Sequence, residues 1–150
     1  MSLRQRDYIL RMIEQLAQAL GAMAGLRKAG KHDEAAQLWQ STADGLFGPL
    51  LSMLEQLDPT SAALLIGDRD KLVAYAALVA ERGDLSQARG GQRQAATEHR
   101  RALELFLEAV EQGAELQTPL LEIVQKLRSK VDEAVLARRH REALDRLCHP

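Results

Sequence analysis

ILRMIEQLAQALGAMAGLRK (residues 9–28), continued by AGKHDEAAQLW (residues 29–39), decides the fold. In the first segment Ile9, Met12, Ile13, Leu16, Leu20 and Met23 fall at offsets 0, 3, 4, 7, 11 and 14, one stripe of a 3.6-residue period. The stretch reads as an amphipathic helix over about Arg4–Lys28, with Asp7 and Arg11 four residues apart on its solvated side. Gly30 stops it, because glycine takes the left-handed conformation that closes a helix. Gly21 and Gly25 share a face inside it. Either they admit a close helix crossing, or they are a tolerated loss of about 1 kcal/mol each against alanine. A second helix begins near Asp33, and Ala35 stands five residues after Gly30, where a small side chain lets the two helices approach.

Working outward, Ala35, Leu38, Trp39, Leu46, Phe47, Leu50, Leu51 and Leu54 keep one helical phase across Gly48-Pro49. Proline lacks an N–H and clashes with the preceding turn, so a kink or a short restart is expected there. Trp39, beside Ala35, Leu38 and Ala43, is expected to be buried between the first two helices. Asp58-Pro59 reads as the cap and first residue of a short helix through Ile66, closed by Gly67. Asp68 caps a further helix that ends at Gly83 and buries Leu72, Tyr75, Ala76 and Val79. A brief helix, a break at Gly90-Gly91 and a long helix over about Gln94–Gln112 follow, with Ala96, His99, Leu103, Phe106, Leu107 and Val110 as the stripe. Thr118-Pro119 is another cap pair, opening a helix toward Leu147. Its stripe slips after Ala134, which marks a bend, a second helix or a change of packing partner.

Composition agrees. Leu (26) and Ala (23) dominate, against 14 Val, Ile and Thr together and five aromatics, so no strand is needed. The expected fold is all-α, an antiparallel array of about five to seven helices forming one domain over residues 1–150. Met1 to Leu3 carry no weight in this reading, since an expression vector explains them equally well. Twenty basic against 21 acidic residues give a net charge of −1, without the basic excess of a nucleic-acid footprint. Charged residues interrupt the N-terminus, and the apolar runs Gly45–Leu54 and Leu72–Ala80 are about half of the roughly 20 residues a membrane span needs. A cytoplasmic protein is expected. Cys148 is the only cysteine, so there is no intrachain disulfide.

Gly30-Lys-His-Asp-Glu-Ala35 and Gly83-Asp-Leu-Ser-Gln-Ala88 share one grammar: a stop, a polar run, then a small residue. This spacing resembles the turn of tetratricopeptide repeats. The two turns are 53 residues apart rather than about 34, and only the first is followed by an aromatic, Trp39. RDYILRMIEQLAQAL (residues 6–20) is similar to an uncharacterised bacterial family of tetratricopeptide-like helical proteins, a domain of unknown function. Leu72–Gly83 and Leu103–Leu127 are compatible with it. The resemblance implies tetratricopeptide-like helix pairs and no established activity. It places the groove-facing positions of the first helices at Leu20, Ala24, Arg27 and Lys28, then at Val73, Ala77 and Glu81. The Lys/Asn/Arg set with which some such repeats clamp a peptide carboxylate is missing, so that ligand is not expected.

Catalytic chemistry finds no motif. His32 lies in a polar turn, and His99 on an apolar stripe has only Ala95, Ala96, Ala102 and Leu103 as helical neighbours, none of them a ligand. His140 stands among Arg138, Arg139 and Arg141, which read as a solvated face paired as Arg138–Glu142 and Arg141–Asp145. Cys148 and His149 are two ligands and do not close a metal site. The carboxylate pairs Asp33/Glu34, Asp68/Asp70 and Asp132/Glu133 sit near helix starts or beside bases, as caps and surface partners. No serine lies in a nucleophile elbow, and Gly90-Gly91 lacks the lysine of a phosphate loop. Glu104 to Glu122 is acidic and Lys126 to Arg146 basic, either as ordinary helix surfaces or as patches that guide association. The basic stretch has no aromatics on which bases could stack.

The expected function is a non-enzymatic protein-interaction or scaffolding module that binds a protein or peptide partner without metal or cofactor. The alternatives are a small helical-bundle enzyme or metal-dependent protein, and a structural homo-oligomer.

Overall fold

The computed structural model describes residues 3–149; Met1 and Ser2, set aside above, and Pro150 lie outside them. The elements are α1 (Leu3–Lys28), α2 (His32–Phe47), α3 (Leu50–Leu54), α4 (Pro59–Ile66), α5 (Arg69–Ala88), α6 (Gln92–Glu111), α7 (Thr118–Lys130) and α8 (Arg138–Cys148), with a 3₁₀ turn at Glu133–Val135 between the last two. Among the described residues there is no strand. Among the described residues eight α-helices stand against the expected five to seven, because two long helices each divide while the brief helix expected after Gly83 merges into α5. Gly48, at φ 54°, and Pro49 separate α2 from α3. The slipping stripe after Ala134 proves to be a true break, where Val131 is extended and the Asp132 side chain caps the 3₁₀ turn through Ala134 N–H. Asp58 and Asp68 cap α4 and α5 with their carboxylates as expected. Thr118 does not cap α7; it is the helix's first residue, after Gln117.

The expected stop at Gly83 is not there. Helix α5 runs unbroken to Ala88, and Gly83 is buried within it. The turn falls at Gly90 (φ 86°), which matches Gly30 (φ 77°) bond for bond. Gly30 and Lys31 donate back to Arg27 and Leu26, and Ala35 donates to Lys31. Gly90 and Gly91 donate to Gln87 and Ser86, and Ala95 donates to Gly91. Both are Schellman closures leading straight into an antiparallel helix. The small residue five positions after the stop is therefore Ala95, not Ala88. Ala35 and Ala95 are 2% and 3% exposed, whereas Ala88 faces solvent. Ala35→Leu and Ala95→Leu are each expected to cost about 1–3 kcal/mol by overpacking, and Ala88→Leu to stay within about 0.5 kcal/mol. Thermal melts of the three variants check this.

Helix α5 is the axis of the molecule. Leu72 through Ala80 are buried without interruption, so the helix has no solvated face over that run and is packed by α1, α2, α4, α6 and α7. Ala74, Ala76, Ala77 and Ala80 keep its girth small, which lets several helices approach at once. Gly21 and Gly25 of α1 behave differently. A Cβ at either position would meet nothing within 4 Å, so neither serves a close crossing. Gly21→Ala and Gly25→Ala are each expected to stabilise the protein by up to about 1 kcal/mol, read as a raised denaturation midpoint.

Candidate functional site

Helices α1, α5 and α7 enclose a cleft of about 260 Å³. Its small-residue surface is Gly21 and Ala24 from α1 with Ala77 and Ala80 from α5; Leu20, Ile123 and Leu127 add apolar walls. Its charged lining is Arg27, Lys28, Glu81, Asp84, Lys126 and Lys130. Six of the seven positions expected to face a groove therefore converge here: Leu20, Ala24, Arg27, Lys28, Ala77 and Glu81. Val73 does not line the cleft; Ala77, at 1% exposure, is as much a core residue as Val73 and forms the cleft's floor. The α7 wall was not read from the sequence. Its cleft residues flank an ordinary apolar stripe, and only the docking of α7 on α5 turns them inward.

The charged groups form a graded network. Arg27 holds Glu81 in a fork, Nε to Oε2 at 3.0 Å and Nη2 to Oε1 at 3.2 Å. Asp84 accepts from Lys130 Nζ at 3.0 Å and lies 2.9 Å from His99 Nε2, with Arg27 at 3.9 Å. His99 is thus the buried histidine with one partner that its apolar stripe suggested. Burial works to raise the Asp84 carboxyl, but the bonds to His99 and Lys130 outweigh it and hold it below the ordinary range. Glu81 goes the other way: burial, ahead of the Arg27 bond and charge, pushes its carboxyl up. Lys28 and Lys126 are exposed and their ammonium groups make no hydrogen bond or ion pair among the described residues, though the Lys28 charge works to lower the Glu81 carboxyl.

A second cavity of about 300 Å³ lies between α2, α3 and α5, lined by Trp39, Asp44, Glu55 and Arg82 among others. Arg82 forks onto Glu55 at 2.6 and 2.8 Å while covering the Trp39 ring, and Asp44 accepts from the Gln40 amide at 3.1 Å, so the cavity's one lining cation is already engaged.

Glu108, Glu111 and His140 offer ligand atoms within 4.8 Å of one another, a spacing a metal ion could use. Nothing local in the chain marks it, because the residues come from two helices, α6 and α8. Arg139 lies on both carboxylates, and Glu108 also accepts from Thr60 at 2.8 Å and faces His140 Nε2 at 3.1 Å. The guanidinium supplies the positive charge these carboxylates need, so the cluster reads as a strut joining α4, α6 and α8. The solvated-face reading of this stretch holds for Arg138–Glu142 at 3.1 Å, and Arg139 is exposed as well, but its partners are Glu108 and Glu111 of α6 rather than a residue of its own helix. Arg141–Asp145 is not among the ion pairs; Asp145 lies 3.7 Å from Arg128. Arg100 likewise neutralises Glu104, so much of the acidic stretch is paired within the chain.

Burial works to raise the Glu108 carboxyl, but bonds from Arg139, Thr60 and His140 hold it low. A carboxylate with a depressed folded-state value stabilises above its unfolded value and loses that contribution as pH falls through the folded one. Asp84 and Glu108 share this sign. The melting temperature is expected to drop as pH falls below about 4, and Glu108→Gln should flatten that limb. An acid limb unchanged in the variant would remove Glu108 as its source.

The fold and cleft define an all-helical protein with no strand and no helix long and apolar enough to cross a membrane, among the described residues. Compared with family models, with curated proteins and with solved structures, the chain finds no match in any of the three.

Proposed function

We propose that the chain is a non-enzymatic protein-interaction module of tetratricopeptide-like type, acting in the cytoplasm, and that the α1–α5–α7 cleft receives a segment of a protein partner. The observation that carries this is the convergence of Leu20, Ala24, Arg27, Lys28, Ala77 and Glu81 on one open cleft. The repeat character is supported by the two matching glycine closures at Gly30 and Gly90, each leading into an antiparallel helix. A volume of about 260 Å³ falls just below the roughly 300–1,000 Å³ of small-molecule pockets and suits a few side chains of a polypeptide. The histidine–carboxylate pairs do not favour the enzymatic alternative. Asp84 is shared between His99 and Lys130, while Thr60 donates to Glu108 and so is not aimed at a base of its own.

Gly21→Phe tests the reading. A Cβ there meets open space, so the ring enters the cleft without disturbing the core. Wild type and variant should melt alike, while proteins captured from native lysate by the wild type should be lost from the variant. Capture unchanged by the ring would overturn the assignment of this cleft. A structural homo-oligomer is the second reading, favoured by the exposure of Met53 (55%) on α3 and Leu64 (76%) on α4. Sedimentation over a range of concentrations decides it, a constant monomer mass refuting it.

A further inference from the structure

The charge lining the cleft points to the kind of segment it takes. Arg27, Lys28, Lys126 and Lys130 face Glu81 and Asp84, an excess of two positive charges in a protein whose net charge is −1. Both acids are already engaged, Glu81 by Arg27 and Asp84 by Lys130 and His99. Lys28 on α1 and Lys126 on α7 make no ion pair and stand on different walls, Lys28 near enough to Glu81 to act on its carboxyl. An entering chain thus meets positive charge in excess on two sides and apolar surface at Leu20, Gly21, Ala24 and Ile123 between them. We infer that the partner segment, on the reading that this cleft is the binding site, is an acidic amphipathic peptide. Its side-chain carboxylates would lie between Lys28 and Lys126, and its apolar side chains against Leu20, Ala24 and Ile123, the lining residues that keep exposed apolar surface. Charge complementarity of this kind sets partner choice and association rate. No aromatic residue lines the cleft, so it has no platform for the bases of a single-stranded nucleic acid.

The test is fluorescence anisotropy with labelled, acetylated and amidated peptides: one alternating Glu and Leu, one alternating Lys and Leu, and an oligouridylate as a nucleic-acid probe. The Glu/Leu peptide is expected to bind with an affinity that falls as salt rises. Lys28→Glu/Lys126→Glu should weaken it by about tenfold or more, and Lys28→Gln/Lys126→Gln, which puts no carboxylate at the α1 C-terminus, should weaken it in the same direction by less. Absence of Glu/Leu binding, equal binding of the Lys/Leu peptide, tighter binding of the oligouridylate, or indifference to the charge reversal would each overturn the inference. If the Glu/Leu peptide fails while Gly21→Phe still abolishes capture from lysate, the acidic class falls and the cleft remains the docking site. If both fail, the cleft itself is wrong.

Discussion

Trp39→Ala is expected to destabilise the protein by about 3–5 kcal/mol, the range for emptying a buried aromatic site. The sequence placed this tryptophan between α1 and α2; the structure buries it, 5% exposed, but ties it to α5. Its indole Nε1 donates to the Leu78 carbonyl at 2.6 Å, and the Arg82 guanidinium lies 4.4 Å from the ring centroid. Arg82 in turn forks onto Glu55, just past the end of α3. One ring therefore joins α2 to the axis of the fold and shields an ion pair that also steadies α3. Removing it leaves a cavity, an indole bond lost, and Arg82 without its aromatic floor, a contact worth about 0.5–2 kcal/mol. Against a typical total stability of about 5–15 kcal/mol, the loss is a large share, and the melting temperature should fall by about 10 °C or more. Trp39→Phe, which keeps a ring and forfeits the N–H, should lose much less. A native emission maximum typical of water-exposed tryptophan, or a Trp39→Ala melt within 1 °C of wild type, would contradict the packing.

Gly83→Ala is expected to go in the direction opposite to the same substitution at Gly21. In a helix interior alanine gains about 1 kcal/mol over glycine. At Gly83, however, a Cβ would lie 2.6 Å from His99 Cδ2 and 2.8 Å from Nε2. The obstruction is a planar ring, 3% exposed and held at Asp84, so it has little freedom to withdraw. The net expectation is a loss of about 1–3 kcal/mol, with the Asp84 contact broken. A double-mutant cycle with His99→Ala isolates the cause, since residues in contact couple by about 0.5–3 kcal/mol. In the His99→Ala background, Gly83→Ala should become neutral or stabilising. If Gly83→Ala raises the midpoint in the native background, the ring does not lie on the glycine.

Gly83 also shows where sequence reading stops. A glycine followed by a polar run has the signature of a helix end, and Gly30 and Gly90 have the left-handed φ that makes it so. Gly83 instead stays within α5 and gives the His99 imidazole of α6 the room a Cβ would take, a contact made by a residue 16 positions away. The same limit explains Arg139. Its neighbours Arg138 and Arg141 suggest a solvated face, yet its partners Glu108 and Glu111 come from another helix. Two like charges grouped in sequence were thus separated in function by the packing of α8 on α6.

What the chain determines by itself is what acts within a turn or two of backbone. The Leu and Ala excess, the stripe from Ile9 to Met23, the caps at Asp58 and Asp68, the closure at Gly30 and the interruption at Gly48-Pro49 all appear in the structure where they were read. Each depends on local hydrogen bonds or on one helical face, and those follow from residue order. The tertiary structure alone decided which faces meet. It made α5 the enclosed axis, moved the second hairpin turn to Gly90, withdrew Val73 into the core, and supplied Ile123, Lys126, Leu127 and Lys130 as the third wall of the cleft. Those outcomes depend on shape and charge meeting across long stretches of chain, and burial of an apolar stripe is non-directional, so the stripe says that a helix must pack but not against what.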